Sequence, residues 1–463
     1  MATQQRNRII YQSEALFVSP SSTGVHLQIS DDNQLDVHGN TTWTGATGAA
    51  IVASQNIRSL TMPLERVQSA NFNVGINRTD INELGVLARI DSIAMESPTI
   101  GLSFNYFLTD GGNERKLGFN VPTSAIASRD SAAYNTGDLA ISGKSALSGL
   151  LDDNQGNNYF IVVSKEGLDV HNDTVTSATA DFDVISIGNG FISDYSVEAS
   201  VGAIPSASVT VEAFNIKADD RISGGAIYSS GPAPVIPAVD AEDGTFYNGT
   251  TSVSKQFFMQ GTESITASAL NTTGSNGTPS ALRPGDITLS IGNAANYQGL
   301  TDLVDDGEAH IQSFNISVPM SRTVLQRLGN TFGYARVVDL PLNIDISMSV
   351  IVSELKTNNM YDALCQTEKH DFTLTLYGCD ASTGGTSSTF KMKYIVKGAR
   401  LEGEDFSQSI GDSETADITF SCQVGGANDT EHGLFIDGSY NLFRCLPFYP
   451  LGSNKDDSSS YDG

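Results

Sequence analysis

Apolar and polar residues alternate with a period of two along several stretches of the chain. Phe72, Val74 and Ile76 alternate with Asn71, Asn73 and Gly75, and Phe314, Ile316 and Val318 with Asn315, Ser317 and Pro319. Val209, Val211 and Ala213 stand against Ser208, Thr210 and Glu212, and Ile418, Phe420 and Cys422 against Asp417, Thr419 and Ser421. Successive side chains of a strand point to opposite faces, so each stretch reads as a strand with one face in a core and the other wet. Leucines at helical intervals occur in "SALSGLLDD" and "SELKTNNMYDALCQ", each followed by a strand-like run, "NYFIVVSKEG" or "DFTLTLYGCD". The expected fold is mainly β: antiparallel sandwiches or barrels, each with one short helix packed on a side.

The pattern occurs twice. "RTDINELGVLAR" (residues 78–89) returns, stretched, as "RTVLQRLGNTFGYAR" (residues 322–336). Flanking segments match in the same order: "VQSANFNVGIN" with "IQSFNISVPMS", "TIGLSFNYF" (residues 99–107) with "DISMSVIVS" (residues 345–353), and "VGAIPSASVTV" with "IGDSETADITF". "IIYQSEALFVS" near the start gives a weaker match to the segment from Phe257. Colinear matches of this kind indicate a duplicated unit rather than chance similarity. The organisation expected is a first unit over residues 1–217 with an N-terminal arm, a Pro- and Gly-rich linker over 218–254, a second unit over 255–447, and a polar tail over 448–463.

Charge narrows the function. Lys and Arg number 26 against 53 Asp and Glu, a formal net charge of −27, which disfavours stable binding to nucleic acid or to an anionic membrane through a basic surface. The start of the chain lacks a signal-like apolar core and no apolar run approaches a membrane span, so a soluble, unsecreted chain is expected. The cysteines, Cys365, Cys379, Cys422 and Cys445, are widely spaced and read as reduced core thiols.

No short motif in the chain has the spacing that a catalytic, nucleotide or metal site needs. "GDLAISGKS" has one residue too many between its glycines for a phosphate-binding loop, and "GNG" at residues 188–190 reads as a turn. "DDNQGN" from Asp152 starts like a calcium loop, but Val163 stands where the bidentate Glu belongs. The six histidines are scattered, and no nucleophile elbow appears. No catalytic, metal or cofactor site is expected.

The alternating strands, the "RT…LG…AR" segments between paired strands, the short helix and the tandem copy together resemble phage major tail tube proteins. More narrowly, they resemble those of some long non-contractile tails, in which one chain carries two tube domains. The resemblance implies three chains in a pseudo-sixfold ring, rings stacked into a conduit for DNA ejection, and location in the virion after assembly in the host cytoplasm. It implies as partners further copies of the chain, the tape measure protein and tail completion proteins, with genomic DNA passing unbound and no membrane involved. Two alternatives stay open: another virion structural protein, such as a head decoration or tail-surface sandwich, and a glycan-active sandwich using carboxylates.

Under the tube reading, the polar members of the alternating strands line the lumen: Asn71, Asn73, Ser103, Asn105, Thr210 and Glu212 in the first unit, and Asn315, Ser317, Ser347, Asp417, Thr419 and Ser421 in the second. The repeated insertion is longer than a hairpin needs. It is expected to reach the neighbouring ring through Arg78, Leu84 and Arg89 and through Arg322, Leu328 and Arg336.

Overall fold

In a computed structural model of the chain, the regular structure is almost entirely antiparallel β. The structure describes residues 14–20, 28–29, 35–36, 42–44, 50–52, 59–121, 145–148, 150, 156–164, 170, 181–223, 257–259, 282, 287–292, 297, 299–300, 311–329, 333, 335–352, 355, 368–379, 388–408, 413–426 and 429–440.

The principal strands fall into two series. The first comprises β1 (Glu14–Pro20), β2 (Val67–Gly75), β3 (Arg78–Ile81), β4 (Asp91–Ala94), β5 (Thr99–Phe107), β6 (Asn157–Val163), β7 (Asp181–Ser200), β8 (Ser206–Ala213) and β9 (Asn215–Ser223). The second comprises β10 (Ile287–Ile291), β11 (Ile311–Pro319), β12 (Arg322–Leu325), β13 (Ala335–Val338), β14 (Asn343–Ile351), β15 (His370–Cys379), β16 (Ser388–Ser407), β17 (Thr415–Gln423) and β18 (Gly433–Gly438). Pairing in the first runs β1–β6–β7–β8–β5–β2, with β9 also on β7 and β3–β4 a separate hairpin. Pairing in the second runs β10–β15–β16–β17–β14–β11, with β18 on β16 and β12–β13 a hairpin. Each strand of one series therefore has a counterpart in the same place in the other.

The long strands β7 and β16 each serve two sheets. Residues 181–190 of β7 pair with β6 and β9, and residues 191–198 with β8. At the corner Asn189 adopts a left-handed conformation (φ 50°), and its counterpart Gly398 does the same (φ 78°). The corner breaks the ladder, and a side chain of the neighbouring strand takes up the amide: Asn189 N–H donates to Asn158 Oδ1 at 3.1 Å, and Gly398 N–H to Asp371 Oδ1 at 3.0 Å. Both strands then bulge, between Ile192 and Asp194 and between Leu401 and Gly403. A bulge adds local twist and re-aims the strand. The "GNG" segment is thus a corner inside a strand rather than a turn.

The two series are joined by β7 pairing with β11, from Asp194 opposite Pro319 to Ser200 opposite Ser313. This makes a continuous eight-stranded sheet in the order β2–β5–β8–β7–β11–β14–β17–β16. Burial along β8, β14 and β17 alternates as the sequence pattern requires, and the apolar face contributes to one core cluster that includes Val209, Val211, Ile316, Ile346, Ile418 and Phe420. The fully buried β6, "NNYFIVV", is covered on both faces, hence its unbroken apolar run.

Several expectations need correction. The hairpins close between Arg78 and Ala94 and between Arg322 and Val338, the same span in both. The second copy is therefore not stretched, and Thr99–Phe107 corresponds to Asn343–Ile351, two residues earlier than the sequence match placed it. The counterpart of β1 is β10, which pairs with β15 as β1 pairs with β6. Phe257–Met259, matched to the N-terminal segment by sequence, instead lies parallel to Ser59–Pro63. Residues 218–223, assigned to the linker, belong to β9. The helix α1 (Gly112–Leu117) was not anticipated. Six residues carry too little apolar periodicity to stand out, and it is delimited by left-handed Gly111 and Gly118. Of the two helices expected, the first is represented by residues 145–148 and 150, with turn and helical geometry. The second lies outside the described residues except for Leu355, in an isolated bridge.

Candidate self-association surface

The uncovered face of the eight-stranded sheet carries all the residues expected on a lumen wall. Asn71, Ser103 and Thr210 are opposite one another across β2, β5 and β8, and Asn315, Ser347 and Thr419 across β11, β14 and β17. Asn73, Asn105, Glu212, Ser317, Asp417 and Ser421 share this face, and none of these residues is buried. The joining pair extends the row, with Glu198 opposite Asn315 and Ser196 opposite Ser317. Asp194, Glu198, Glu212, Asp345, Asp405 and Asp417 lie on this face, to which the described residues of these strands contribute one cation, Arg400. Partial burial raises the Asp194 pKa from its ordinary value.

The two edges of this sheet differ from its internal junction. At the junction Val197 stands opposite Ile316 and Tyr195 opposite Val318, and all four are buried, with Ile316 1% and Val318 0% exposed. The counterparts of Ile316 and Val318 on β2 are Phe72 and Val74, 44% and 48% exposed. The counterpart of Val197 on β16 is Phe406, 39% exposed. Among the described residues the outer edge of β2 and that of residues 403–407 of β16 have no strand partner. Large apolar side chains and open backbone groups coincide at both edges, and such edges promote association.

The hairpins share a tip geometry. Leu84 and Leu328 are fully exposed, each followed by a left-handed glycine, Gly85 (φ 93°) and Gly329 (φ 94°). Glycine reaches this conformation without a Cβ penalty. Their surroundings differ sharply. In the second hairpin Arg322 lies over the Phe191 ring at 5.2 Å and donates to the carbonyls of Ile192 at 3.3 Å and Leu150 at 2.9 Å. Arg336 is 5% exposed, ion-pairs with Glu212, donates to Ala213 O at 3.4 Å and covers the Phe214 ring at 4.8 Å. Burial lowers the pKa of Arg336, and Glu212 opposes that shift. Val324 packs on Phe191 and Phe214, which form a small cluster of their own.

Arg322 and Arg336 are thus engaged within the chain, across the internal junction. Arg78 and Arg89 are exposed, and Arg89 pairs with Asp80 at 2.9 Å. Arg89 is not the counterpart of Arg336: Arg336 stands opposite Val324 as Ser92 stands opposite Asp80.

A buried polar cluster beneath the sheet escaped the sequence. Glu114 of α1, 1% exposed, accepts through Oε1 from Tyr106 at 2.8 Å and from Tyr195 and Tyr394 at 3.3 Å, and the Tyr195 and Tyr394 hydroxyls are 2.9 Å apart. Burial raises the Glu114 pKa from its ordinary 4.5, while the tyrosine hydrogen bonds oppose the rise. Because Tyr394 belongs to β16, the cluster ties the two series together. No local motif announces it; only the fold brings these positions into contact.

Among the described residues no group of three or more His, Cys, Asp or Glu is arranged to hold a metal, and no helix is long and apolar enough to cross a membrane. No family model matches the chain, and no curated protein matches it. Among solved structures, a crystal structure titled as that of Hcp protein is 14% identical over 26% of this chain and 73% of that one. Its TM-score is 0.15, too low to bear on fold or function.

Proposed function

We propose that the chain is a self-assembling structural protein, whose copies join by repeating between chains the junction that β7 and β11 make within one. The carrying observation is the contrast between Ile316, Val318 and Val197, buried at that junction, and their counterparts Phe72, Val74 and Phe406, exposed at the free edges. Burying each such side chain contributes about 1.5–3 kcal/mol, and the added ladder satisfies the open backbone groups. The contact is heterologous, β16 of one copy meeting β2 of the next, so its repetition gives a closed ring or an open helix.

In the finer reading, three copies close a pseudo-sixfold ring and stacked rings form a phage tail tube, as the sequence resemblance implies. The acidic face then turns inward and repels the phosphates of passing DNA. Tape measure and tail completion proteins are the further partners of that assembly, which is not catalytic and acts in the virion. A head decoration or tail-surface protein is the competing role; it would use the edges to form discrete oligomers without hollow rods.

Translating the junction pair Glu198–Asn315 along the repeat places Ser407 opposite Asn71 of the next copy. Oxidation of the Ser407→Cys/Asn71→Cys variant is expected to yield covalent multimers, whereas Ser407→Cys/Asn105→Cys gives few. Electron microscopy and mass measurement of the assembled protein then separate hollow rods built from trimers from discrete oligomers. A protein that stays monomeric at high concentration and gives no crosslink refutes self-association.

A further inference from the structure

We infer that Asp80 of one copy pairs with Arg400 of the next, at the position where the chain's internal junction holds an apolar cluster. The inference rests on the edge-to-edge reading and specifies its chemistry. Within one chain the second hairpin lies on the first series through Val324, Phe191 and Phe214. The register of the repeat assigns each a counterpart. Val324 corresponds to Asp80, since Arg322 pairs with Val338 as Arg78 pairs with Ala94. Phe191 corresponds to Arg400, since it lies opposite Glu212 as Arg400 lies opposite Ser421. Phe214, one residue beyond β8, corresponds to Gln423. The junction between copies therefore brings an acid to a base where the internal one brings valine to phenylalanine.

Three observations support the pairing. Arg400 is exposed, and no ion pair or side-chain hydrogen bond from it is found among the described residues. Asp80 is exposed and bound to Arg89 through one carboxylate oxygen, leaving the other open. Arg78, the counterpart of Arg322, falls beside Arg400, so the Asp80 carboxylate offsets a meeting of like charges that would otherwise oppose docking.

The substitution has a physical logic. The internal junction is closed as the chain folds and is never exposed afterwards, so an apolar cluster is safe there. The junction between copies stays open to water until assembly, and charges keep it soluble while selecting partner and register.

The test uses the full chain with the single changes Asp80→Arg and Arg400→Asp and the double exchange. Assembly is followed by sedimentation velocity and electron microscopy, with circular dichroism to verify folding. Each single change is expected to raise the concentration needed for assembly about fivefold per junction, and the exchange to restore it. Singly changed, folded chains that assemble as the wild type does overturn the pair, and so does an exchange that restores nothing. In either case the Ser407→Cys/Asn71→Cys crosslink still reports whether the edges meet. Loss of that crosslink together with an inert wild-type chain overturns the edge-to-edge reading itself.

Discussion

Three tyrosine hydroxyls converge on one oxygen of Glu114, and this cluster sets the behaviour of the molecule at the residue scale. The Glu114 pKa in the fold lies above its ordinary 4.5, with burial as the main cause. A carboxyl raised in this way favours the folded state when protonated, so its contribution is fully present below about 4.5 and is lost as pH rises through the higher folded value. We predict that melting temperatures of the wild type and Glu114→Gln diverge over that window, the wild type losing ground as pH rises. A parallel pH profile for the two proteins would show that Glu114 does not titrate as the geometry requires. Tyr394→Phe removes the hydroxyl that lies against both Glu114 Oε1 and the Tyr195 hydroxyl and is expected to cost about 1–3 kcal/mol, measured by chemical denaturation.

At the scale of elements, the corners of β7 and β16 explain how a strand crosses between sheets. Both positions are left-handed, and both amides are held by a side chain of the preceding strand. A Cβ on Gly398 would meet His432 Cδ2 at 2.7 Å as well as a disfavoured backbone angle. Gly398→Ala is therefore expected to destabilise by about 1–3 kcal/mol. Asn189→Gly should change stability by less than about 1 kcal/mol, because glycine accepts the angle freely and the donated amide is retained. Equal losses for the two changes would show that the corners are not equivalent. The sequence marked "GNG" only as a local break; that it is a crossing point depends on which strands lie beside it.

For the whole molecule, the acidic face and the open edges are the features with consequences. Glu212 lies on this face and is structural as well, through its ion pair with Arg336. Glu198 and Asp417 lie on the same face without that role. The Glu198→Lys/Asp417→Lys variant is expected to assemble as the wild type does, yet to retain duplex DNA at about 50 mM salt and release it near 200 mM. Wild-type assemblies should retain none at either concentration. Assemblies of the variant that ignore DNA at low salt would place this face away from any conduit.

The sequence by itself determined the acidity, the colinear repeat and the inward and outward faces of β8, β11 and β17; Phe72, Val74 and Ile76, expected in a core, are exposed, and the long strands β7 and β16 carried no clear alternation. Alternation fixes which side of a strand is apolar, and colinear repetition survives loop changes; both are local properties. Register, partner choice and exposure are not. The two-residue error over β14, the false equivalence of Arg89 and Arg336, and the missed cluster at Glu114 arose because similar alternating stretches fit one another in several alignments. Tertiary structure decided between them through the ladder from β5 to β8, the matching spans of the hairpins, and the β7–β11 junction, which buries three apolar side chains while leaving their counterparts at the edges exposed. That difference in burial comes from the order in which strands meet, a relation between distant residues that no short stretch of sequence contains.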